Sequence, residues 1–417
     1  MSIVKQISLG VSAERRSYPF LVAALGIVFL LATVWFVNAL ASEPSPAQWG
    51  FLVANFIFLL GITQFGIAFS AIMRICKADW ARSYYRIAEL ITLSFLPFAI
   101  IGFLYIYKYG SHHLFYWFNE PPEAHLSPWL DSTFLLYRNL LAQLLFYIMA
   151  IVYFIMGLLP DITEQDSRSG PTWRQSFYRW LLSIKRNKDN ESLQHYVYFY
   201  APLVLVVNVI ANTFIAWDFG MMLVPHYHST IYPMYFILGN MLAGTAALFF
   251  LMVVLSRIIS IDNYFKTVQV QSIGILLTVF ALFWLYMFWA QFFVSWFGNL
   301  PHEYGVLSLQ MYGHYAPFFW IMMCCNFGIP IASLIFLWVK QTWWAMTLLA
   351  VVINIGMWLN RYLLVIPALV EGHHPFTVFS ELTMTISLVT GFLFVLLFSF
   401  NVFPMVSMWE LRAIEND

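Results

Sequence analysis

Charged residues are scarce in this chain of 417 residues: aspartate, glutamate, lysine and arginine together make up only 10% of it. A soluble globular domain carries about 25%. Hydrophobic residues make up 61% of the sequence and aromatic residues 19%. The composition therefore excludes a soluble domain and predicts an all-α polytopic membrane protein in contact with lipid. The formal net charge is zero, and without a basic excess we expect no nucleic-acid partner.

Cysteine is also rare, and histidine is missing from the centres of the apolar runs. The three cysteines are Cys76, Cys324 and Cys325, with no Cys-x-x-Cys spacing. We therefore expect neither a disulfide framework nor an iron–sulfur cluster held by this chain. An internal haem b needs paired histidines at mid-membrane depth, whereas the histidines here lie in predicted loops or at span ends. No metal pattern, phosphate loop or nucleophile triad stands out, so no catalytic residue is assigned.

Long apolar runs are abundant. Each of ten runs is about 20 or more residues long, enough to cross a bilayer as a helix. We therefore predict ten transmembrane helices, with approximate limits 19–41, 48–73, 84–107, 133–159, 196–217, 230–256, 268–296, 314–339, 342–366 and 377–404.

The positive charges separate cleanly between the two sides of these spans. Of the 20 lysines and arginines, 17 fall in the amino-terminal segment, in the loops after even-numbered helices or at their edges, or in the carboxy-terminal tail. Lys108 lies at the opposite edge, and Arg138 and Arg361 lie inside spans. Because cytoplasmic loops carry the excess of basic residues, we predict that both termini are cytoplasmic. We expect the chain to be a multi-pass protein of the cell inner (cytoplasmic) membrane.

A weak internal sequence repeat suggests how the helices are grouped into bundles. A Trp-Phe pair followed by Pro and Glu occurs after helix three (Trp117) and again after helix seven (Trp296). This spacing predicts two four-helix bundles, helices two to five and six to nine, with helices one and ten as peripheral helices; chance similarity of interfacial loops is the alternative. The corresponding regions are 1–47, 48–217, 218–366 and 367–417. The polar loop after helix four predicts a surface amphipathic helix over 173–184.

Ionisable side chains inside spans are expensive and mark function by default. Glu89 lies early in helix three, Arg138 early in helix four and Arg361 late in helix nine. We interpret Glu89, with Gln64, as part of a proton path that leads through the first bundle. A matching route in the second bundle would use the amides and the arginine of helices five to nine, namely Asn208, Asn212, Asn240, Asn326, Asn354 and Arg361.

Structural interpretations of the same residues stay open. Asparagine and glutamine inside spans commonly hold helices together through hydrogen bonds. Arg138 and Arg361 could pair with carboxylates at the outer edge, such as Asp218 or Glu303. Prolines within the predicted spans also leave room for broken helices, which build transporter sites. A stand-alone secondary transporter is therefore an alternative, and the prolines concerned are Pro97, Pro233 and Pro330.

Three stretches of the sequence carry a resemblance to a known family. They are Trp49–Ala71 with Arg86–Glu89, Trp217–Gly244, and Gln291–Glu303 with Asn354–Pro367 (NIGMWLNRYLLVIP). In these stretches the sequence resembles the NrfD/polysulfide-reductase-type membrane subunits, and within them the ActF-like and ActC-like subunits of alternative complex III, a quinol:electron-acceptor oxidoreductase. The resemblance runs from about Trp49 to Leu397.

This resemblance implies a ten-helix subunit that binds no cofactor alone. Its partners would be an iron–sulfur protein subunit, a multihaem cytochrome c subunit with haem c, and a homologous ten-helix membrane subunit. The quinone would be menaquinone or ubiquinone. The function implied is quinone-linked electron transfer in a respiratory chain, with proton translocation.

The resemblance also places a quinone pocket at the outer end of the first bundle, where Tyr107, Arg138 and Asn139 would be the quinone-binding residues. In ActC-like chains a histidine and an aspartate stand where this sequence has Tyr107 and Asn139, and a further histidine stands where it has Gln64. Asparagine and glutamine cannot take the protons of a quinol at ordinary pH. This departure favours the supporting or proton-conducting role, with the quinone-binding subunit itself as an alternative.

Overall fold

The computed structural model describes residues 19–118, 128–168, 170–186, 189–224, 227–259, 267–299 and 301–411. Within these residues the fold is all-helical, and ten helices are long and apolar enough to cross a membrane. We number these spanning helices α1 to α10 and name shorter helices by their residues. The spanning helices are α1 Pro19–Ser42, α2 Pro46–Ile75, α3 Tyr85–Leu114, α4 Ser132–Asp161, α5 Glu191–Leu223, α6 Tyr232–Arg257, α7 Thr267–Gly298, α8 Ala316–Leu334, α9 Trp343–Ala368 and α10 Phe379–Val402.

The ten predicted spans are confirmed as helices, and local sequence explains where some begin. Ser45 caps α2: its hydroxyl accepts a hydrogen bond from the Gln48 backbone N–H at 3.3 Å, and Pro46 occupies the first turn. Asp131 caps α4 by accepting from the Phe134 N–H at 2.6 Å. Such caps satisfy backbone donors that the first helical turn leaves without partners.

The prolines break the spanning helices less than expected. Helix α3 continues through Pro97, and Pro233 lies in the first turn of α6, where a missing N–H costs nothing. Pro330 follows a π-helical turn, Cys324–Gly328, inside α8. A second π-helical turn, Ile106–Gly110, lengthens α3 beyond its predicted limit. Insertions of this kind frequently occur at functional sites.

Helix α2 is the most enclosed element. In its most apolar segment 83% of the residues are buried, against 11% for α1, which packs mainly against α10. Helix α2 contacts α3, α5, α6 and α9. Glycine makes one of these approaches close: a Cβ atom on Gly61 would lie 2.1 Å from the side-chain oxygen of Asn240 on α6. Small residues let helix backbones approach in this way inside a membrane.

The predicted amphipathic helix is present as Thr172–Lys185. Its Tyr178 hydroxyl donates to the Val402 carbonyl at 2.7 Å, and Lys185 Nζ donates to the Ile162 carbonyl at 2.9 Å. Burial lowers the pKa of the Lys185 amine from its ordinary 10.5. Beyond α10, residues 403–411, the C-terminal segment, fold back against the ends of α2, α3 and α4 through the contacts described below.

Candidate functional site

The first polar group, the Glu89 cluster, is Ser70, Arg74, Glu89, Tyr153 and Glu410. The Arg74 guanidinium forms an ion pair with Glu89 Oε1 and donates from Nε to Glu410 Oε1 at 2.8 Å. Tyr153 OH accepts from Arg74 Nη1 at 2.6 Å, and the Ser70 hydroxyl donates to Glu89 Oε1 at 2.8 Å. Both Arg74 and Glu89 are buried. One guanidinium therefore serves two carboxyl groups.

The second carboxylate oxygen of Glu89 is available for a further hydrogen bond. Glu89 Oε2 is buried and accepts no hydrogen bond from the residues that the structure describes. A buried polar atom without a protein partner is an expected binding position for an internal water molecule. The structure gives Glu89 a cationic partner, Arg74. The partner was missed because Arg74 follows the predicted end of the second span.

The C-terminal segment closes the ends of α2 to α4 around this cluster. The Trp409 N–H donates to Asp161 Oδ1 at 2.8 Å, and its indole Nε1 donates to the Gly157 carbonyl at 3.0 Å. Asp161 also accepts from Arg86 at 3.0 Å. Together with the pairing of Glu410 to Arg74, these contacts tie the segment directly to α2 and α4, and Asp161 links it to α3 through Arg86. Nothing in the local sequence near Glu410 indicated this fold-back.

The second polar group, the Asp218 cluster, joins α4 to α5. Arg138 donates to Asp218 from Nε at 2.8 Å and from Nη2 at 2.6 Å, and Asn139 donates to the same carboxylate. Trp129 Nε1 donates to Asp218 at 3.0 Å, while the Trp129 carbonyl accepts from Arg138 Nη1 at 2.6 Å. Of the two arginines for which a carboxylate partner was considered, Arg138 has one, and it is Asp218. The guanidinium uses all three nitrogens in these contacts.

The third group is a row of hydrogen-bonded side chains, the amide chain, that crosses five helices. Arg361 Nη2 on α9 donates to Asn240 at 2.8 Å, and Asn240 donates to Asn212 on α5 at 2.9 Å. Asn212 donates to Gln64 on α2 at 2.9 Å, and Gln64 donates to Gln143 on α4 at 2.6 Å. Asn240, Asn212 and Gln64 thus each accept from one neighbour and donate to the next, and Gln143 ends the chain as an acceptor. The chain links residues that the sequence had assigned to two separate routes.

Arg361 ends the amide chain without an acidic partner among the side chains that the structure describes. It donates to the Phe236 carbonyl at 2.8 Å, and its guanidinium lies 3.7 Å from the centre of the Phe236 ring. It also contacts Asn360, which donates to the Tyr235 hydroxyl. The side chain of Glu303, the other predicted partner, lies outside the described residues. The charge of Arg361 is therefore stabilised by backbone and amide carbonyl oxygens and by the face of an aromatic ring.

Helix α4 connects the Asp218 cluster, the amide chain and the Glu89 cluster. Asn139, Gln143 and Tyr147 follow one another at four-residue intervals, so they share one face of the helix. The side-chain oxygen of Asn139 and Nε2 of Gln143 are buried and have no hydrogen-bond partner among the described residues. Tyr147 lies beside Gln64, and Tyr153 belongs to the Glu89 cluster.

Some predicted residues stay apart from these groups. Asn354 donates only within its own helix, to the Ala350 carbonyl at 2.8 Å. Asn326 lies in the π-helical turn of α8, and neither of its amide atoms has a partner among the described residues. The Tyr107 hydroxyl donates to the Ser132 carbonyl at 3.3 Å, away from the hydrogen bonds of Arg138 and Asn139.

Two of the cavities among the spanning helices are relevant to the candidate residues. One, of about 410 Å³, is bounded by α1, α2, α3 and α10, and its walls are aromatic and aliphatic; none of Tyr107, Arg138 and Asn139 lines it. The other, of about 260 Å³, lies between α5 and α6 with α2 behind it, and Asn208, Asn212 and Asn240 line it. Among the described residues, no group of three or more His, Cys, Asp or Glu side chains is placed to hold a metal ion.

No family model matches the sequence, and no curated protein matches it. The role of the polar groups is therefore argued from their own geometry and from the sequence resemblance described above.

Proposed function

We propose that this chain is an integral membrane subunit of a quinol:electron-acceptor oxidoreductase related to alternative complex III, and that it conducts protons instead of oxidising quinol. The observation that carries the proton-conducting role is the line of polar groups along α4. It runs from the two-carboxylate Glu89 cluster past Tyr147 and Gln143 to Asn139 and Asp218. The redox setting is supported by the sequence resemblance.

The length of this line fits a route through most of a bilayer. Fourteen residues separate Asn139 from Tyr153 on α4, which corresponds to about 21 Å at 1.5 Å per residue. The hydrocarbon core of a bilayer is about 30 Å thick. Three buried atoms along the route, Glu89 Oε2, Gln143 Nε2 and Asn139 Oδ1, have no partner among the described residues. Water bound at these atoms would connect side chains that do not touch each other.

The Glu89 cluster supplies the proton-binding group of the proposed route. Arg74 carries one positive charge, while Glu89 and Glu410 together carry two negative charges when both are ionised. One proton would make the cluster neutral, which is the favoured condition in a low-dielectric interior. At the far end, Asp218 is already compensated by Arg138. The charge excess is therefore in the Glu89 cluster, and we propose Glu89 as the proton carrier because it is the carboxyl of the two that lies inside a spanning helix.

The rest of the assembly follows from the same proposal. Helices α2 to α5 and α6 to α9 form two four-helix bundles joined by the amide chain, α1 and α10 lie at the periphery, and both termini face the cytoplasm. The chain sits in the cell inner membrane with an iron–sulfur protein, a multihaem cytochrome c and a homologous ten-helix subunit. Menaquinol or ubiquinol is the electron donor of the complex.

A direct quinol-oxidising role is less well supported by the geometry. The donors of Arg138 are taken up by Asp218 and the Trp129 carbonyl, and Tyr107 donates to a backbone carbonyl. We assign Arg138 a structural role in holding Asp218 between α4 and α5. Of the three candidate quinone residues, Asn139 keeps a buried acceptor without a described partner, and we assign that acceptor to water on the proton route.

The test is the Glu89→Gln variant of the native complex, purified and reconstituted into liposomes. We expect electron transfer to continue while proton uptake coupled to it falls at least about tenfold, since an amide cannot carry the proton. The matched control is Glu381→Gln, which changes a buried carboxyl that pairs with His373 at 2.8 Å and lies off the route. Unchanged proton uptake in Glu89→Gln would remove the proton-conducting role. A lone chain that purifies without redox partners would instead favour the transporter.

A further inference from the structure

The 260 Å³ cavity between α5 and α6, called here the α5–α6 crevice, differs from the cavity between α1, α2, α3 and α10 because amides line it. Its mouth is apolar and faces outward: Val209 is 47% exposed and Met234 is 50% exposed. Its inner wall carries three amides. These amides belong to Asn208, Asn212 and Asn240, and Gly61 lies beside them.

The three asparagines of the crevice are not equally satisfied. Asn212 and Asn240 are members of the amide chain, and each both donates and accepts. Asn208 is 93% buried, since only 7% of it is exposed, and its amide donates only weakly, to the Gln64 carbonyl at 3.4 Å. Its side-chain oxygen accepts no hydrogen bond in the described part of the chain. Lipid tails offer no partner for such a group, so Asn208 is an unused hydrogen-bonding site in the crevice.

The wall behind Asn208 is polarised by a cation. Arg361 donates to Asn240, and Asn240 donates to Asn212, so the amide dipoles line up away from the guanidinium. Gly61 permits this arrangement because any larger residue would overlap the Asn240 side chain. The wall therefore presents aligned amide groups to a neutral ligand that can both accept and donate hydrogen bonds.

The depth and size of the crevice restrict the ligand further. Asn208 lies near the middle of α5, more than about 20 Å from either helix end at 1.5 Å per residue, so a phospholipid headgroup, which stays at the surface, does not reach it. Small-molecule sites usually enclose about 300–1,000 Å³, and 260 Å³ is near the lower limit. The space suits one ring, whose hydrocarbon tail would remain in the lipid.

We propose that the α5–α6 crevice binds the ring of an isoprenoid quinone or quinol that enters from the lipid, with Asn208 as its hydrogen-bonding residue. The choice of a quinone rests on the proposed function. The binding site itself rests on the cavity, on the unused amide and on the polarised wall. It lies apart from Tyr107, Arg138 and Asn139, so it is distinct from the pocket that the sequence predicted.

Photolabelling tests this site. The full-length chain, with the subunits that accompany it, is placed in lipid nanodiscs and irradiated with an azido-quinone that carries an isoprenoid tail. We expect labelled positions within 205–212 and 234–241. Asn208→Ala should reduce labelling about three- to tenfold at subsaturating probe, as expected for the loss of a neutral hydrogen bond. Met234→Trp should block the mouth and abolish labelling, whereas Leu145→Trp, also on the lipid face at 50% exposed, should not.

Competition identifies the ligand class. Excess unlabelled quinone should suppress labelling, while excess phospholipid or sterol should not. Labelling confined to the cavity between α1, α2, α3 and α10, or labelling unaffected by both crevice variants, would overturn the site. Equal competition by sterol would overturn the quinone assignment. Because photolabelling requires neither turnover nor proton movement, its failure is separate from a failure of the Glu89→Gln test.

Discussion

The ion pair between Arg138 and Asp218 allows a quantitative test of how the fold holds a charge inside the membrane. Asp218 is fully buried and receives hydrogen bonds from Arg138, Asn139 and Trp129. In Arg138→Met the carboxyl keeps two neutral donors and loses its counter-charge. Breaking a buried pair from one side costs about 3–5 kcal/mol, so we expect a large loss of stability.

The double variant Arg138→Met/Asp218→Asn separates charge from hydrogen bonding. Asparagine at 218 carries no charge and keeps one acceptor oxygen, which can serve Trp129 on the Oδ1 side or Asn139 on the Oδ2 side. We therefore expect the double variant to recover about 2 kcal/mol of the loss, because the residual cost is that of replaced neutral hydrogen bonds. Unfolding of the purified protein in detergent, followed by tryptophan fluorescence, gives both values.

The control for this pair is a salt bridge on the surface. Arg168 lies 3.6 Å from Glu164, and both side chains are largely exposed. Arg168→Met should change stability by less than about 1 kcal/mol. If the double variant is no more stable than Arg138→Met, the unpaired charge of Asp218 is not the source of the destabilisation, and the reasoning fails.

Three further outcomes follow from the packing. Gly61→Ala should destabilise the protein by about 1–3 kcal/mol, because the added carbon would overlap the Asn240 side chain. Gly305→Ala should not destabilise it, because a Cβ atom there meets nothing within 4 Å. Equal unfolding midpoints for the two variants would contradict this expectation. Glu410→Ala should speed hydrogen exchange in the C-terminal segment, and unchanged exchange would show that the Arg74 pairing does not hold it. Burial lowers the pKa of the Lys185 amine, so this amine binds its proton more tightly in the unfolded chain than in the folded one. The free energy of unfolding should therefore rise as the pH increases towards the ordinary lysine pKa of 10.5. Lys185→Met should reduce this dependence of stability on pH.

The polar residues show how far sequence reasoning reaches. Gln64, Asn212, Asn240 and Arg361 were selected because an amide or a charge inside an apolar run needs a partner, and the structure places all four in one hydrogen-bonded chain. Their order could not be predicted, since the sequence specifies the position along each helix but not which helices touch.

Other features had no usable local signal. Glu410 lies 336 residues from Arg74 in the chain, in a short segment after the last span, so its contact with the Glu89 cluster depends on a fold-back. Asn326 was placed in the second-bundle route by its residue type alone, and the structure leaves it in a π-helical turn without a described partner.

By itself, the sequence determined the class of this protein, the ten spanning helices and the surface helix after α4. These depend on hydrophobicity and its period, which are local properties of about 20 residues. Only the tertiary structure decided that Glu89 shares Arg74 with Glu410, that the amides join α4 to α9, and that Asn208 faces a cavity. These features depend on side chains that meet across helices, and in lipid the choice of partner is set by close packing at residues such as Gly61.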